Sequence, residues 1–292
     1  MKVVVVGAAG QLGRALAAKF AREHEVTPAT RRDVDLSDHR ALRAFVMDRK
    51  PAAVINCAAY TNVDGAEDEQ EAALDINAFA VRTLARATSD LGAVLVHYST
   101  DFVFAGTAAI PYTEDDAPEP QSVYAQSKLL GEWIAADNPR HYVLRVESLF
   151  GGPNARSSVD RIASAVRAGE PAPVFTDRVV SPSFVEDVVG ATGHLIRSGS
   201  PAGLYHCVNT GFGTWLEVGR EIARLLGQPE TTLRPISVRD VTLRARRPQY
   251  AALSNAKLAR AGYPMPSWQD ALARFLGYPP AAVGDSHAKE RR

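Results

Sequence analysis

The chain opens with Lys2-Val3-Val4-Val5-Val6, which leads straight into Gly7-Ala8-Ala9-Gly10-Gln11-Leu12-Gly13, a G-x-x-G-x-x-G loop. A continuous β-branched run is typical of a strand buried on both faces of a parallel sheet. After the loop, apolar residues at 12, 16 and 20 share one face and predict an amphipathic helix over residues 11–21. Glycines between a buried strand and a helix favour dinucleotide binding, because the backbone can approach a pyrophosphate at the helix amino terminus.

The alternation of apolar runs and helical patterns continues beyond this unit. Runs at 26–30, 52–56, 93–99 and 142–146 predict strands, and the stretches at 81–91 and 128–136 predict helices. We therefore predict an α/β fold with a doubly wound parallel sheet, a Rossmann-type NAD(P)-binding domain over residues 1–150. Residues 151–283, punctuated by prolines, are predicted mainly as a smaller C-terminal substrate-binding lobe, with a strand near 203–209 returning to the main sheet. Residues 284–292 are predicted to be a flexible tail.

Composition excludes several classes of protein. The 292 residues include 33 Lys and Arg and 33 Asp and Glu, so no overall basic field favours nucleic acid or a membrane surface as partner. Two cysteines make no disulfide framework, and the first apolar run is too short for a signal peptide, so we expect a cytoplasmic protein. The seven histidines show no metal-ligand spacing, and no metal is predicted.

The residues after the second predicted strand bear on the choice of cofactor. Arg31 and Arg32 occur there, with no acidic residue before Asp33. Guanidinium groups suit the 2′-phosphate of NADPH, whereas an acid would suit the ribose hydroxyl of NADH. NADPH is the predicted cofactor, and NADH is the alternative. The alternative that both arginines are solvated surface residues also stays open. We also predict that Asp35 and Leu36, at the end of a short strand, contact the adenine.

Three residues form the predicted catalytic group. Tyr124 and Lys128 are four residues apart and share one face of a helix. A lysine beside a phenol stabilises the phenolate, so we expect Lys128 to lower the pKa of Tyr124 and enable proton transfer. Thr100 closes the strand over 93–99, where a hydroxyl faces the ligand crevice. It is predicted to hydrogen-bond the carbonyl oxygen that Tyr124 protonates.

Longer motifs give the chain a family resemblance over nearly its whole length. They are Asn56-Cys57-Ala58-Ala59-Tyr60-Thr61-Asn62-Val63-Asp64-Gly65-Ala66-Glu67, Ser99-Thr100-Asp101-Phe102-Val103-Phe104-Ala105-Gly106, and Arg247-Pro248 with Leu253-Ser254-Asn255-Ala256-Lys257-Leu258. With the glycine loop, these resemble the extended short-chain dehydrogenase/reductases, and within them the subfamily of dTDP-4-dehydrorhamnose reductases.

The resemblance implies transfer of hydride from NADPH to C4 of a dTDP-linked 4-keto-6-deoxysugar, with Tyr124 as proton donor and Lys128 on the nicotinamide ribose. Together with the residues above, the predicted cofactor site is Gly7, Gly10, Gln11, Leu12, Gly13, Arg31, Asp35, Leu36, Cys57, Ala58, Ala59, Tyr60, Asn77, Tyr124 and Lys128. The predicted substrate site is Thr61, Thr100, Asp101, Ser148 and Arg178.

The chain departs from the subfamily at several positions. Val146-Glu147-Ser148-Leu149-Phe150-Gly151 stands where Thr-Ser-Trp-Val-Tyr-Gly is typical, and Arg178 replaces a neutral residue. A related 4-ketosugar therefore stays open as substrate. Ala15 stands where a glutamate supports a metal-linked dimer in some relatives, so no metal-linked dimer is predicted. A homodimer without a metal is compatible with the sequence.

Three alternative functions differ from a reductase in the residues that they require. Related dehydratases carry a glutamate at the position of Phe102, and an aromatic ring cannot replace it as an acid or base. A non-catalytic NADP-binding regulatory subunit has no need of Tyr124 and Lys128. An epimerase would hold NAD tightly. Arg31 and Arg32 favour NADPH instead, so they argue against an epimerase.

Some residues are expected to have structural roles. We expect Asp64 and Glu67 mainly to stabilise a helix start, and His97 and His206 to be core residues. Cys57 is not expected to be a nucleophile. Arg244, Arg246 and Arg247 either bind a substrate diphosphate or form a solvated surface.

Overall fold

The strand and helix predicted from the opening residues are present in the computed structural model, which describes residues 1–152 and 157–278. The described residues form twelve strands: β1 (Lys2–Val6), β2 (Glu25–Ala29), β3 (Ala53–Asn56), β4 (Val94–Thr100), β5 (His141–Val146), β6 (Leu149–Phe150), β7 (Ala172–Phe175), β8 (Val179–Val180), β9 (Ser183–Phe184), β10 (Gly203–His206), β11 (Gly213–Thr214) and β12 (Leu233–Ile236). The tail predicted at 284–292 lies outside the described residues.

Six of these strands form one parallel sheet in the order β10-β5-β4-β3-β1-β2. Val3 of β1 lies opposite Val26 of β2 on one side and Ala53 of β3 on the other. The chain order reverses at β1, so the crossover connections run in both directions from it. This topology confirms the predicted doubly wound α/β fold. β10 comes from the segment predicted to return to the sheet, and it pairs with β5.

Helices cover both faces of this sheet. The α-helices in the described parts of the chain, including those outside the sheet layers, are α1 (Gln11–Phe20), α2 (His39–Arg49), α3 (Gln70–Leu74), α4 (Ala80–Asp90), α5 (Val123–Ala135), α6 (Ser158–Ala168), α7 (Val185–Ser198), α8 (Trp215–Leu225), α9 (Ala256–Arg260) and α10 (Trp268–Leu276). α1 and α7 bury Leu16 and Val188 against one face, and α2 and α4 bury Leu42 and Leu84 against the other. Among the helices of residues 1–152 and 157–278, none has the length and apolar character needed to cross a membrane.

A second hydrophobic core forms after β5. Helices α6, α8 and α10 contribute Ile162, Ile222 and Leu272, which are buried with Val174 of β7 and Leu233 of β12. Between these elements, α7 and β10 pack in the layers of the main sheet. The segment after residue 150 therefore contributes to both cores, and the main sheet is completed by residues from late in the chain.

Two local predictions are corrected by the structure. Asp35 and Leu36 lie in an irregular segment between β2 and α2, so the short strand predicted there is wrong. The reason is local: Asp35 Oδ1 accepts hydrogen bonds from the Ser37 backbone N (3.0 Å) and hydroxyl (2.9 Å), which competes with strand pairing. Helix α5 begins at Val123, earlier than predicted, because the Ser122 hydroxyl accepts from the Ala125 backbone N and caps it.

A buried ion pair joins α5 to β5. The Arg145 Nε donates to Glu132 Oε1 (2.8 Å) and its Nη2 donates to Glu132 Oε2 (2.7 Å). The side chains are 3% and 5% exposed, so neither charge has ready access to water. The bidentate geometry compensates for their desolvation and fixes the helix that carries Tyr124 and Lys128 relative to the sheet.

We expect Arg145→Met to lower the free energy of unfolding by about 3–5 kcal/mol, because it leaves the Glu132 carboxylate buried without a partner. The double variant Glu132→Met/Arg145→Met removes both charges and is expected to recover part of that loss. Arg43→Met breaks a half-exposed pair with Asp90 and serves as the control, with an expected loss of at most about 1 kcal/mol. Urea denaturation measures all three. A double variant no more stable than Arg145→Met would contradict this explanation.

Candidate active site

Most residues of the predicted cofactor site line one cavity of about 510 Å³ at the carboxyl ends of the sheet strands. It is bounded by the glycine loop on one side and by α5 on the other. The predicted residues in its walls are Gly7, Gly10, Gln11, Leu12, Arg31, Asp35, Leu36, Cys57, Ala58, Ala59, Tyr124 and Lys128, joined by Thr61 from the predicted substrate site. The topology of the sheet thus brings together residues separated by more than a hundred positions in sequence.

The glycine loop lies directly against the ends of β1 and β3. Gly7 has φ +77°, and a Cβ there would lie 2.7 Å from the backbone N of Ala58. A Cβ on Gly13 would lie 2.3 Å from the Gly7 carbonyl oxygen. Gly13 is therefore needed for close helix packing and is absent from the cavity wall. Gly10 is the N-cap of α1 and has no side chain to cap the first helix amides, which stay available to an anion.

The two arginines after β2 are placed differently. Arg31 lines the cavity with Thr30, whereas Arg32 lies outside its walls. The Asp33 side chain bonds within its own turn: its Oδ2 accepts hydrogen bonds from the backbone N (2.8 Å) and hydroxyl (2.7 Å) of Thr30. An exposed guanidinium is therefore found at this corner, while Asp33 bonds to Thr30, and this favours a phosphate over a ribose hydroxyl.

Two residues of the predicted cofactor site support the cavity without forming its wall. The amide of Asn77, in a π-helical segment between α3 and α4, accepts from the Tyr60 backbone N (2.9 Å) and donates to its carbonyl (3.2 Å). Asn77 also donates to the Ser127 hydroxyl (2.9 Å). It therefore connects the loop after β3 to α5, and the side chains of Asn77 and Tyr60 do not face the cavity.

Lys128 is buried between α5 and β4. Its Nζ donates to the Tyr98 carbonyl (2.6 Å) and lies 3.4 Å from His97 Nε2. Desolvation lowers the pKa of Lys128 to about 8. Desolvation and the Lys128 charge also hold the pKa of His97 well below its usual range, so His97 is neutral, as expected of a core residue. Lys128 reaches the cavity but is anchored to the strand beneath it.

Tyr124 lies in the cavity wall, and its ring meets the Phe102 ring edge to face, with centroids 5.7 Å apart. Desolvation, with a smaller contribution from the charge of Asp101, raises the pKa of the phenol, while a hydrogen bond with Thr100 opposes the shift. The expectation of a lowered pKa for Tyr124 is therefore wrong for the protein alone, because burial has the largest effect and Lys128 is not among the groups that shift this pKa. At neutral pH the phenol carries its proton.

Thr100 and its neighbours close β4 at the cavity. The Thr100 hydroxyl donates to Asp101 Oδ1 (2.9 Å) and accepts from the Phe102 backbone N (3.2 Å). Ser99 also lines the cavity, and its buried hydroxyl has no hydrogen-bond partner among the described residues. Ser99 was not assigned a role from sequence, although its position at the end of a strand was a usable signal.

A second cavity, of about 540 Å³, lies between β7, α6 and α8. Its walls combine the apolar side chains of Phe175 and Trp215 with the guanidinium groups of Arg161, Arg178 and Arg247. Of the predicted substrate residues, Arg178 lines this cavity, while Thr100, Asp101 and Ser148 line neither of the two. Ser148 follows β5 with φ +45°, a left-handed conformation that is uncommon outside glycine.

Two arginines of the basic cluster after residue 243, Arg244 and Arg247, form ion pairs. Asp64 accepts from Nη1 (3.0 Å) and Nη2 (2.8 Å) of Arg247, and Arg244 pairs with Asp68. The pair with Arg247 lowers the pKa of Asp64 to about 2. Asp64 thus connects the loop after β3 to the second cavity, and the expectation that it mainly stabilises a helix start is wrong. Glu67 does meet a helix start, since its Oε1 accepts from the backbone N of Val123 in α5 (3.0 Å).

Cysteine chemistry and metal binding are not supported at the described site. Desolvation raises the pKa of Cys57, so this thiol at the cavity wall stays protonated at neutral pH. Within residues 1–152 and 157–278, no group of three or more His, Cys, Asp or Glu side chains is placed to hold a metal ion. His206 is buried beside Arg145, and its pKa is lowered to about 3, mainly by desolvation.

Comparison with known proteins identifies relatives over nearly the whole chain. The model of the family described as "RmlD substrate binding domain" matches residues 1–278. The dTDP-4-dehydrorhamnose reductase of Mycolicibacterium smegmatis is 34% identical, with 94% of this chain and 86% of that protein covered. A Streptomyces antibioticus protein, named "Probable dTDP-4,6-dihydroxy-2-methyloxan-3-one 4-ketoreductase", is 34% identical, with 100% and 99% covered. The crystal structure of dTDP-4-dehydrorhamnose reductase from Bacillus anthracis in complex with NADP is 31% identical, covers 94% of this chain and 98% of that one, and has a TM-score of 0.87.

Burial of Lys128 predicts a specific pH dependence of stability. The pKa of the folded state is about 8, below the ordinary 10.5 that applies after unfolding. Between these values the unfolded chain binds a proton that the folded chain does not, so the stability contributed by this group rises with pH. Relative to Lys128→Met, the free energy of unfolding of the wild type is expected to rise by up to about 3 kcal/mol across that window.

Urea denaturation at a series of pH values measures the difference between wild type and Lys128→Met. Lys19→Met removes an exposed lysine of α1 and serves as the control, for which the difference should stay constant with pH. A constant difference for Lys128→Met as well would show that its ammonium group is not desolvated.

Proposed function

The chain belongs to the family described as the RmlD substrate binding domain, and we propose that it is an NADPH-dependent reductase of the C4 keto group of a dTDP-linked 4-keto-6-deoxysugar. The proposed substrate is dTDP-4-dehydrorhamnose, reduced to dTDP-L-rhamnose, or a related deoxysugar, in line with the names of the relatives. The observation that carries the proposal is that protonated Tyr124, Lys128 and Ser99 line the same cavity as the glycine loop.

The residues of the first cavity fit an NADP cofactor. Uncapped amides at the start of α1 face a loop whose glycines leave room for a pyrophosphate, and Arg31 offers a cation for the 2′-phosphate. The Ser99 hydroxyl, which has no hydrogen-bond partner among the described residues, supplies a hydrogen-bonding group in the same cavity wall as Tyr124. When bound, the cofactor supplies the hydride.

The protonation state of Tyr124 suits reduction of a ketone. Hydride addition leaves an alkoxide that must take up a proton, and the raised pKa keeps a proton on Tyr124 until that moment. The hydroxyl of Thr100, already bonded to Asp101, is proposed to orient the carbonyl oxygen. Lys128 is proposed to bind the ribose next to the nicotinamide while anchored to the Tyr98 carbonyl.

The second cavity fits the nucleotide part of the substrate. Phe175 and Trp215 offer apolar surface for a base, and Arg161 offers a cation for a diphosphate. With the nucleotide there and the cofactor in the first cavity, the sugar lies between them, near Tyr124. Phe102 occupies this region and contacts Tyr124, and its ring offers no acid or base for dehydration.

Tyr124→Phe is expected to lower kcat by about 100- to 10,000-fold, because it removes the proton donor and leaves the aromatic ring in place. The loss of NADPH absorbance with dTDP-4-keto-6-deoxyhexose measures the rate, and a titration measures NADPH affinity, which should be nearly unchanged. Tyr278→Phe alters an exposed phenol at the end of α10 and is the control. An undiminished rate for Tyr124→Phe would contradict the proposed role, and NADPH binding without turnover by the wild type would favour a regulatory subunit.

Arg31→Ala is expected to weaken NADPH binding by about 10- to 100-fold, because it removes a charge-assisted hydrogen bond to the 2′-phosphate. NADH lacks this phosphate, so its affinity should change much less. Arg32→Ala is the matched control, since Arg32 lies outside the cavity wall. Dissociation constants from fluorescence titration compare the two variants. Equal losses would assign the phosphate to both arginines, and no loss for Arg31→Ala would refute the assignment.

A further inference from the structure

Three charged side chains meet between the two cavities. Asp101 and Glu147 follow the last paired residues of β4 and β5, where Thr100 lies opposite Val146, so both carboxyl groups leave the sheet at the same edge. They are 3% and 2% exposed. Arg178 comes directly before β8, and the residue after β8, Ser181, donates its backbone N–H to Glu147 Oε2 (2.6 Å). Asp101, Glu147 and Arg178 are called the charged cluster below.

The charged cluster lies on the path between the cavities. Arg178 lines the second cavity, and its guanidinium carbon is 5.7 Å from the centroid of the Phe102 ring. The other neighbour of Phe102 is Tyr124, which lines the first cavity. A ligand that extends from the second cavity to Tyr124 must therefore pass Phe102 and the charged cluster.

The hydrogen-bonding capacity of the cluster is only partly used. One oxygen of each carboxyl group is occupied, by the Thr100 hydroxyl at Asp101 and by the Ser181 backbone at Glu147. Asp101 Oδ2, Glu147 Oε1 and Arg178 Nε are buried and have no hydrogen-bond partner among the described residues. Buried polar atoms without partners are costly, so three of them at one place indicate a polar ligand.

The chemistry of the free atoms narrows the class of ligand. An anionic group would meet two carboxyl groups, and a cationic group would meet a guanidinium. A neutral hydroxyl both donates and accepts, and it can satisfy carboxylate oxygens and the Arg178 N–H together. Desolvation raises the pKa of both Asp101 and Glu147, and Arg178 opposes the shift at each. The free acceptor and donor atoms of the cluster therefore suit a hydroxyl group.

We propose that Glu147 and Arg178 determine sugar specificity: together with Asp101 they bind ring hydroxyl groups of the sugar next to the reacting carbonyl. This inference rests on the proposed function. Glu147 and Arg178 both occur where the sequence departs from the subfamily pattern quoted above, and they have opposite charges. The sugar is therefore held by hydrogen bonds from charged groups, with Phe102 as the neighbouring aromatic ring.

The test compares kcat/KM for dTDP-4-keto-6-deoxyhexose with that for its 2-deoxy and 3-deoxy analogues. In the wild type, loss of one ring hydroxyl is expected to lower kcat/KM by at least about 100-fold, because it leaves buried polar groups unpaired. The ratio of kcat/KM for the full substrate to kcat/KM for the deoxy analogue measures this discrimination. In Glu147→Gln, Arg178→Gln and the double variant, the ratio should fall by about tenfold or more for at least one analogue. The double variant removes both charges, so it leaves neither of them buried alone.

The controls remove the same charges elsewhere. Glu186→Gln and Arg234→Gln alter exposed residues of α7 and β12, and the preference for the hydroxyl should be unchanged in both. The dissociation constant of NADPH shows whether the cluster variants keep the fold. Unchanged discrimination in all three cluster variants, with NADPH binding intact, would overturn the inference.

A binding arm separates this inference from the proposed reaction. The gain in affinity of dTDP-L-rhamnose over dTDP measures what the sugar contributes, and calorimetry gives it without turnover. The cluster variants should lose that gain and keep their affinity for dTDP. If Arg178→Gln lowers the affinity for dTDP but keeps the extra affinity for dTDP-L-rhamnose, Arg178 binds the diphosphate. That result would overturn the inference. A wild type inactive on every 4-ketosugar would refute the proposed function, and the binding arm would still decide the role of the cluster.

Discussion

The glycine loop packs directly against the ends of β1 and β3, and the position of the first cavity depends on that close approach. Cβ atoms at Gly7 or Gly13 would lie within 3 Å of backbone atoms, so these contacts are possible only without side chains. With α1 held this close, its uncapped amides face the loop and α5 forms the opposite wall. The cavity is thus a consequence of backbone packing before any polar side chain is considered.

Desolvation is the second feature that shapes the site. Burial keeps Tyr124 protonated and lowers the pKa of Lys128, and both effects exceed those of neighbouring charges. The same burial leaves Ser99, Asp101 and Glu147 each with an atom that has no hydrogen-bond partner within residues 1–152 and 157–278. A fold that buries polar atoms without partners pays in stability, and this cost is offset when a ligand supplies the missing hydrogen bonds.

The chain has zero net charge, but its cations are unevenly placed. Many of its cations are paired, including Arg145 with Glu132 inside the sheet layer and Arg247 with Asp64 beside the second cavity. Arg31 lines the first cavity, and Arg161 lines the second. The local arrangement of charge, rather than its sum, is what favours phosphate-bearing ligands.

The sequence was enough to predict the sheet, the glycine loop and the shared helix of Tyr124 and Lys128, because these follow from local periodicity, glycine's freedom at positive φ and helix spacing. It failed at Asp35, where a side-chain turn replaced a strand, and at Asp64, whose partner Arg247 lies 183 residues away. Tertiary structure alone decided the raised pKa of Tyr124, the separation of Arg31 from Arg32 and the meeting of Asp101, Glu147 and Arg178. Burial and long-range contact set these properties, and neither is encoded in the local spacing of residues.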